Sequence, residues 1–155
     1  MAAEIERKFL VTSDEYRHLA EPVPYRQGYI AIMIDKVVRI RTVGDKGYIT
    51  VKARINDTTR KEYEYEIPLA DTLAMFNEVC TNGMIEKLRY KIRYDGFVWE
   101  VDEFQGDNKG LVVAEIELTS EDQPFHKPLW VGKEVTGDPR YLNANLALNP
   151  FTKWK

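Results

Sequence analysis

Three side chains near the start of the chain, Glu4, Glu6 and Lys8, stand two positions apart with Ile5 and Arg7 between them. If this stretch is extended, all three share one face. The same spacing recurs in Arg39 and Arg41, in Thr50 and Lys52, in Glu62, Glu64 and Glu66, in Lys87, Arg89, Lys91 and Arg93, in Glu100 and Asp102, and in Glu115 and Glu117. These types suit phosphate chemistry. Arginine and lysine clusters hold phosphate oxygens, arginine in bidentate fashion. Carboxylates beside a phosphate repel it unless a hard divalent cation lies between them. Mg2+ does this with one or two carboxylates, waters and phosphate oxygens.

The elements that must carry these residues are strands. Period-two alternation predicts them over Glu4 to Val11, Tyr25 to Ile34, Lys36 to Val43, Gly47 to Arg54, Arg60 to Ile67, Met84 to Tyr94, Phe97 to Phe104 and Val112 to Thr119. Val, Ile, Tyr and Thr enrich these segments. Turn chemistry at Gly44-Asp45-Lys46-Gly47, Asn56-Asp57-Thr58 and Asp95-Gly96 separates them and favours antiparallel neighbours. Helical signals are fewer. Thr12-Ser13-Asp14-Glu15 reads as a capping box for a helix to Ala20, and Leu69, Leu73, Phe76 and Cys80 keep helical spacing. Ser120 to Gln123 forms a capped turn, and Asp138-Pro139 opens a terminal helix through Leu148. With no linker, repeat or low-complexity tract, residues 1–155 read as one domain.

A half-buried sheet always has one polar face, and that face is usually solvated. Here the polar positions are almost all ionised types, segregated by strand. Like charges two apart repel unless something of opposite sign lies between them. A closed antiparallel barrel of eight strands, mainly β with flanking helices, resolves the repulsion by turning the charged faces into a lumen. The apolar faces then pack outward against helices and connections.

Composition narrows the function classes. Lys and Arg number 22 against 25 Asp and Glu, a net charge of -3, which argues against a strongly basic nucleic-acid binder. The single Cys80 excludes a disulfide framework and a cysteine zinc site. His18 and His126 have no metal-spaced partner. No apolar run approaches a membrane span, and the first residues enter charged sequence at once, so a signal peptide is not expected and the cytoplasm is the default. Glycine-rich phosphate loops and Ser-His-Asp patterns are absent.

The Glu-x-Glu-x-Lys of Glu4-Ile5-Glu6-Arg7-Lys8 resembles the first strand of the CYTH superfamily, the triphosphate tunnel metalloenzymes. Arg39-Ile40-Arg41, Lys52, Glu62-Tyr63-Glu64, Lys87-Leu88-Arg89, Asp102 and Glu115-Ile116-Glu117 resemble its later motifs in order. The segment from Glu134 through Asp138, Arg140 and Asn143 is similar to the part that closes one tunnel end in small bacterial members. The resemblance implies an eight-stranded tunnel and hydrolysis of inorganic triphosphate to pyrophosphate and phosphate, with Mg2+ or Mn2+ as cofactor. By resemblance, Lys8, Arg39, Arg41, Lys52, Lys87 and Arg89 bind phosphates, with Arg140 closing over one end. Glu4, Glu6, Glu62, Glu64, Asp102, Glu115 and Glu117 serve metal, Glu4 and Glu6 acting in catalysis.

Tyr29 admits two readings, packing in its strand or a phenol in the lumen near Lys52. In the second, Lys52 loses its proton among other cations and acts as base with Tyr29 as relay, giving an alkaline optimum. Neighbouring carboxylates oppose that shift. Other functions stay open: hydrolysis of an organic triphosphate such as thiamine triphosphate or a nucleotide, a non-catalytic polyphosphate-binding module, or a class IV adenylate cyclase, for which no base-recognition residues stand out. The partner expected is a small-molecule triphosphate, with no membrane and no nucleic acid. Oligomeric state is open, a homodimer among the options.

Overall fold

A computed structural model describes residues 3–154. Among the described residues nine strands form one antiparallel sheet: β1 (Ala3–Val11), β2 (Val23–Met33), β3 (Lys36–Val43), β4 (Lys46–Arg54), β5 (Thr59–Ile67), β6 (Met84–Tyr94), β7 (Phe97–Phe104), β8 (Val112–Leu118) and β9 (Val131–Glu134). Their order is β5-β4-β3-β2-β6-β7-β8-β1-β9, and β1 also pairs with β5, so β1 through β8 close into a barrel. The closure uses the first residues of β1, with Glu4 opposite Arg60. Closure removes the exposed edges that an open sheet would present.

The eight expected strands stand within two residues of their sequence-derived limits. Their hairpins explain this accuracy. Asp95 and Gly96 both take positive φ, 50° and 82°, the two-residue turn whose twist suits antiparallel strands. Gly47 has a different role. A Cβ there would lie 1.9 Å from Thr72 Oγ1, so only glycine lets the helix α1 (Leu69–Glu78) settle on β4.

Three expectations change. β9 was not expected; it is four residues long and pairs with the far half of β1. Its arrival also alters the supposed capping box. Thr12 N–H donates to Trp130 O at 2.9 Å, tying Thr12 to the chain entering β9, and only a single 3-10 turn (Glu15–His18) follows. The terminal helix is divided. Asp138 caps a 3-10 turn (Pro139–Tyr141), Leu142 is extended, and α2 (Asn143–Leu148) starts anew. That break turns Asn143 toward the barrel interior.

Two apolar clusters hold the barrel from opposite sides of its wall. Outside β1, β6, β7 and β8, Phe9, Trp99, Val101 and Ile116 pack beneath Phe125 and Trp130 of the long connection before β9. The rings of Trp99 and Trp130 meet edge to face at 6.2 Å. The second cluster is internal. Ile85, Phe104 and Val113 occupy the same faces of their strands as Lys87, Asp102 and Glu115, yet pack against Leu146 and Tyr141 of the C-terminal segment. Charged and apolar positions therefore share the lumen face, and the C-terminal segment fills the apolar part.

Candidate active site

The rest of the lumen is a cavity of about 840 Å3. Glu4, Glu6, Lys8, Tyr29, Arg39 and Arg41 line it, together with Lys52, Glu62, Lys87, Arg89, Glu115 and Glu117. Strand alternation and barrel closure bring these twelve together from seven strands, β1 to β6 and β8. Three other expected residues are placed differently. Asp102 lies on the lumen face but beneath the cavity lining, 1% exposed, and binds Arg89 bidentately at 2.7 and 2.9 Å and Lys87 at 2.8 Å. Glu64 accepts from Thr50 Oγ1 at 2.6 Å and pairs with Arg39 and Arg41 at 3.3 and 3.2 Å. Arg140 is exposed, pairs with Asp138 at 2.8 Å, stacks on Trp154, and does not line the cavity.

The cations are therefore preset. Asp102 keeps a depressed pKa despite its burial, because Arg89 and Lys87 hold it ionised. Arg89 is raised well above its usual value, Asp102 and its hydrogen bonds outweighing burial. Lys87 differs: burial lowers it to about 8, against the pull of Asp102. Arg41 and Arg89 also stack over Tyr25, at 5.1 and 4.7 Å from the ring centre.

The carboxylates on the β1 side are crowded. Burial, then Glu115 and Glu4, raise Glu6 to about 8. Burial chiefly raises Glu4 and Glu117 as well. Glu62 is lowered to about 2, because Lys52 and its hydrogen bonds overcome burial. Glu115 is also lowered, since Lys8 and Arg89 outweigh its burial. Lys52 sits between Glu4 at 3.2 Å and Glu62 at 3.0 Å. Burial and Arg39 push its pKa down, but Glu4, Glu6 and Glu62 win and hold it above the usual lysine value. Lys52 is thus an ammonium. Tyr29 is 2% exposed, and burial raises its phenol, so it stays protonated.

The cluster suits a hard divalent cation. Glu4, Glu6, Glu115 and Glu117 offer oxygen ligands only, and burial together with mutual repulsion raises three of them, a crowding that a cation would relieve. Among the described residues no three His, Cys, Asp or Glu converge into a ready cage. Mg2+ does not need one, since it usually keeps waters and takes phosphate oxygens.

Several lining residues escaped the sequence reading as site candidates. Arg60 faces Glu6 at 3.9 Å. It shares the strand face of Glu62, a signal the alternation contained. Glu100 pairs with Arg89 at 3.3 Å, on the same face as Asp102. Tyr25 shares its face with Tyr29. Asn143 was expected only as part of the segment similar to the one that closes a tunnel end, and its contact with Lys87 depends on the helix break. Arg7 stays outside, paired with Glu134 and stacked on Phe125, as its opposite parity predicts.

A closed barrel whose lumen pairs fixed cations with crowded carboxylates defines a protein that grips a polyanion inside a β tunnel. The chain belongs to the CYTH family, whose domain model matches residues 2–147. The inorganic triphosphatase of Acetivibrio thermocellus is 55% identical over 155 residues, covering all of this chain and 99% of the relative. That of Nitrosomonas europaea is 39% identical over 150 residues, covering 94% of this chain and 97% of its own length. The solved structure of the inorganic triphosphatase NE1496 is 36% identical with a TM-score of 0.69, covering 93% of this chain and 97% of that one. A conserved hypothetical protein from Pyrococcus furiosus shares the fold at 22% identity, TM-score 0.61, over 77% of this chain and 80% of that one. Among the described residues no helix is long and apolar enough to cross a membrane.

Proposed function

We propose that this chain is an inorganic triphosphatase, cleaving triphosphate to pyrophosphate and phosphate within a single tunnel domain. The observation that carries this reading is the sorting of the lumen. Arg39, Arg41, Lys87 and Arg89 are braced by Glu64 and Asp102, while Glu4, Glu6, Glu115 and Glu117 crowd together on the cavity side of β1 and β8. Pure polyanion binding needs the first group alone. The names of the relatives support the substrate.

In this mechanism Arg39, Arg41, Lys87 and Arg89 hold the phosphates, with Lys8 closing the set from β1. Glu64 and Asp102 position these cations. A bound Mg2+ or Mn2+, held by Glu4, Glu6, Glu115 and Glu117, would supply Lewis-acid polarisation and neutralise phosphate charge. Lys52, charged between Glu4 and Glu62, stabilises negative charge developing on a phosphoryl oxygen. Tyr29 donates a hydrogen bond from a neutral phenol. Lys52 becomes a base only after those carboxylates are engaged elsewhere, which would raise activity toward alkaline pH.

The test is a panel of inorganic triphosphate, thiamine triphosphate and nucleoside triphosphates with Mg2+ or Mn2+, reading released phosphate. Inorganic triphosphate is expected to give the highest kcat/KM, and activity to vanish in excess EDTA. Full turnover in EDTA, or preference for an organic triphosphate, overturns the reading.

A further inference from the structure

The apolar part of the lumen meets the charged part at Gln27, Tyr29 and Asn143. Gln27 is fully buried and was part of no earlier assignment. Its Nε2 donates to Tyr29 Oη at 2.8 Å and lies 3.4 Å from Asn143 Oδ1. Asn143 Oδ1 also accepts from Lys87 Nζ at 2.9 Å.

The hydrogen-bond inventory of these groups fixes their orientation. A lysine ammonium donates and cannot accept. The Asn143 atom facing Lys87 must therefore be its oxygen, and its NH2 must turn away. With Asn143 Oδ1 facing Gln27, the Gln27 atom toward it is the nitrogen. Gln27 Oε1 is then left buried without a partner. Such a group is costly and rarely tolerated without compensation. The compensation is orientation. Because Gln27 donates to the Tyr29 oxygen, the Tyr29 O–H must point elsewhere. Tyr29 and Asn143 both line the cavity.

We propose that Tyr29 and Asn143 form a neutral donor pair for one phosphate of the substrate, with Gln27 as the positioning residue that aims the phenol. The chemistry is that of an oxyanion hole, in which preset neutral dipoles face an oxygen bearing charge. A neutral pair has a specific use beside Lys87 and Arg89. It adds hydrogen bonds without adding to the repulsion among cations in the empty lumen. This inference rests on the triphosphatase reading and adds residues to its site.

Four variants test it: Asn143→Ala, Gln27→Glu, Tyr29→Phe and the double variant Gln27→Glu/Tyr29→Phe. Each is assayed for kcat and KM on inorganic triphosphate with Mg2+, and for triphosphate affinity by calorimetry with Ca2+ in place of Mg2+. Asn143→Ala should weaken triphosphate binding about 10-fold, the scale of one lost hydrogen bond to a charged group. Gln27→Glu offers the phenol an acceptor, so the Tyr29 proton turns inward, and the variant should match Tyr29→Phe. Combining them should lower kcat/KM by clearly less than the product of the two single losses, because Gln27 aims the phenol through its bond to Tyr29. Additive losses in the double variant, or unchanged triphosphate affinity and KM in a folded Asn143→Ala, overturn the proposal. A wild-type protein that neither binds nor cleaves triphosphate overturns the functional reading, and the donor pair with it.

Discussion

The two charged walls of the lumen are built on opposite terms. On the β6 and β7 wall, Lys87 and Arg89 rest on Asp102, whose carboxylate accepts side-chain hydrogen bonds from these two alone among the described residues. On the β1 and β8 wall, Glu6 hydrogen-bonds Glu115 and is pushed up to about 8 by burial and like charge. The first wall is electrostatically finished before substrate arrives. The second keeps its carboxylates crowded, and on the proposed reading a divalent cation would relieve them. Buried ion pairs are not strong stabilisers in themselves, but breaking one strands a charge. Crowded carboxylates behave oppositely, since removing one relieves repulsion. On the proposed reading, the same residue class serves structure on one wall and ligand binding on the other.

The sharpest way to break this contrast is Asp102→Asn, which keeps shape and strands two buried cations. We expect a stability loss of about 3–5 kcal/mol, a fall in Tm on the order of 10 °C for a chain of this size. An unchanged melting curve would mean that Asp102 does not brace Lys87 and Arg89, and the first wall would lose its distinction.

Glu6→Gln is the counterpart on the second wall. Turnover should drop at least ~100-fold, as expected when metal positioning is lost. The metal-free variant should melt no lower than wild type. Retained turnover removes Glu6 from the site, and a large fall in Tm makes it structural.

A pH titration of the metal-free protein sharpens the comparison. Glu6 has a folded pKa of about 8 against an ordinary 4.5. Between these values the folded state binds the extra proton, so stability falls as pH rises through this window. Glu4 and Glu117, also raised, act in the same sense. Lys87, lowered to about 8 from 10.5, acts above that window, where losing its proton in the folded state adds stability. Thermal unfolding from pH 5 to 8 should show declining Tm, flatter in Glu6→Gln. A rise across that range in wild type would contradict the crowding.

The smallest effect is expected at Arg140. It is exposed and paired with Asp138, so Arg140→Ala should change stability by less than about 0.5 kcal/mol. Its kcat/KM should stay within about 2-fold of wild type. A loss near that of Arg41→Ala would show that Arg140 swings over the tunnel during turnover.

Much of this was readable along the chain, for a definite reason. A strand places every second side chain on one face, so the inward positions Glu4, Glu6, Lys8, Arg39, Arg41, Lys52, Lys87, Arg89, Glu115 and Glu117 follow from spacing once the faces are assigned. Two-residue turns such as Asp95-Gly96 set register locally. What alternation cannot supply is depth. Lys87 and Asp102 share a lumen face, yet the cation reaches the cavity and the carboxylate stays beneath it. Nor can it tell Glu64, spent on Arg39 and Arg41, from Glu62, which meets the cavity. The charge state of Lys52 depends on Glu4 and Glu62, one of them on a different stretch of chain, brought near by closure of β1 on β5. Asn143 is the extreme case: a helix signal ran through Leu142, and only packing of Leu146 and Tyr141 into the barrel interior interrupts it. Spacing is a local property and was settled by the residues themselves. Depth, partnership and charge state arise from contacts between distant segments, and those exist only in the folded barrel.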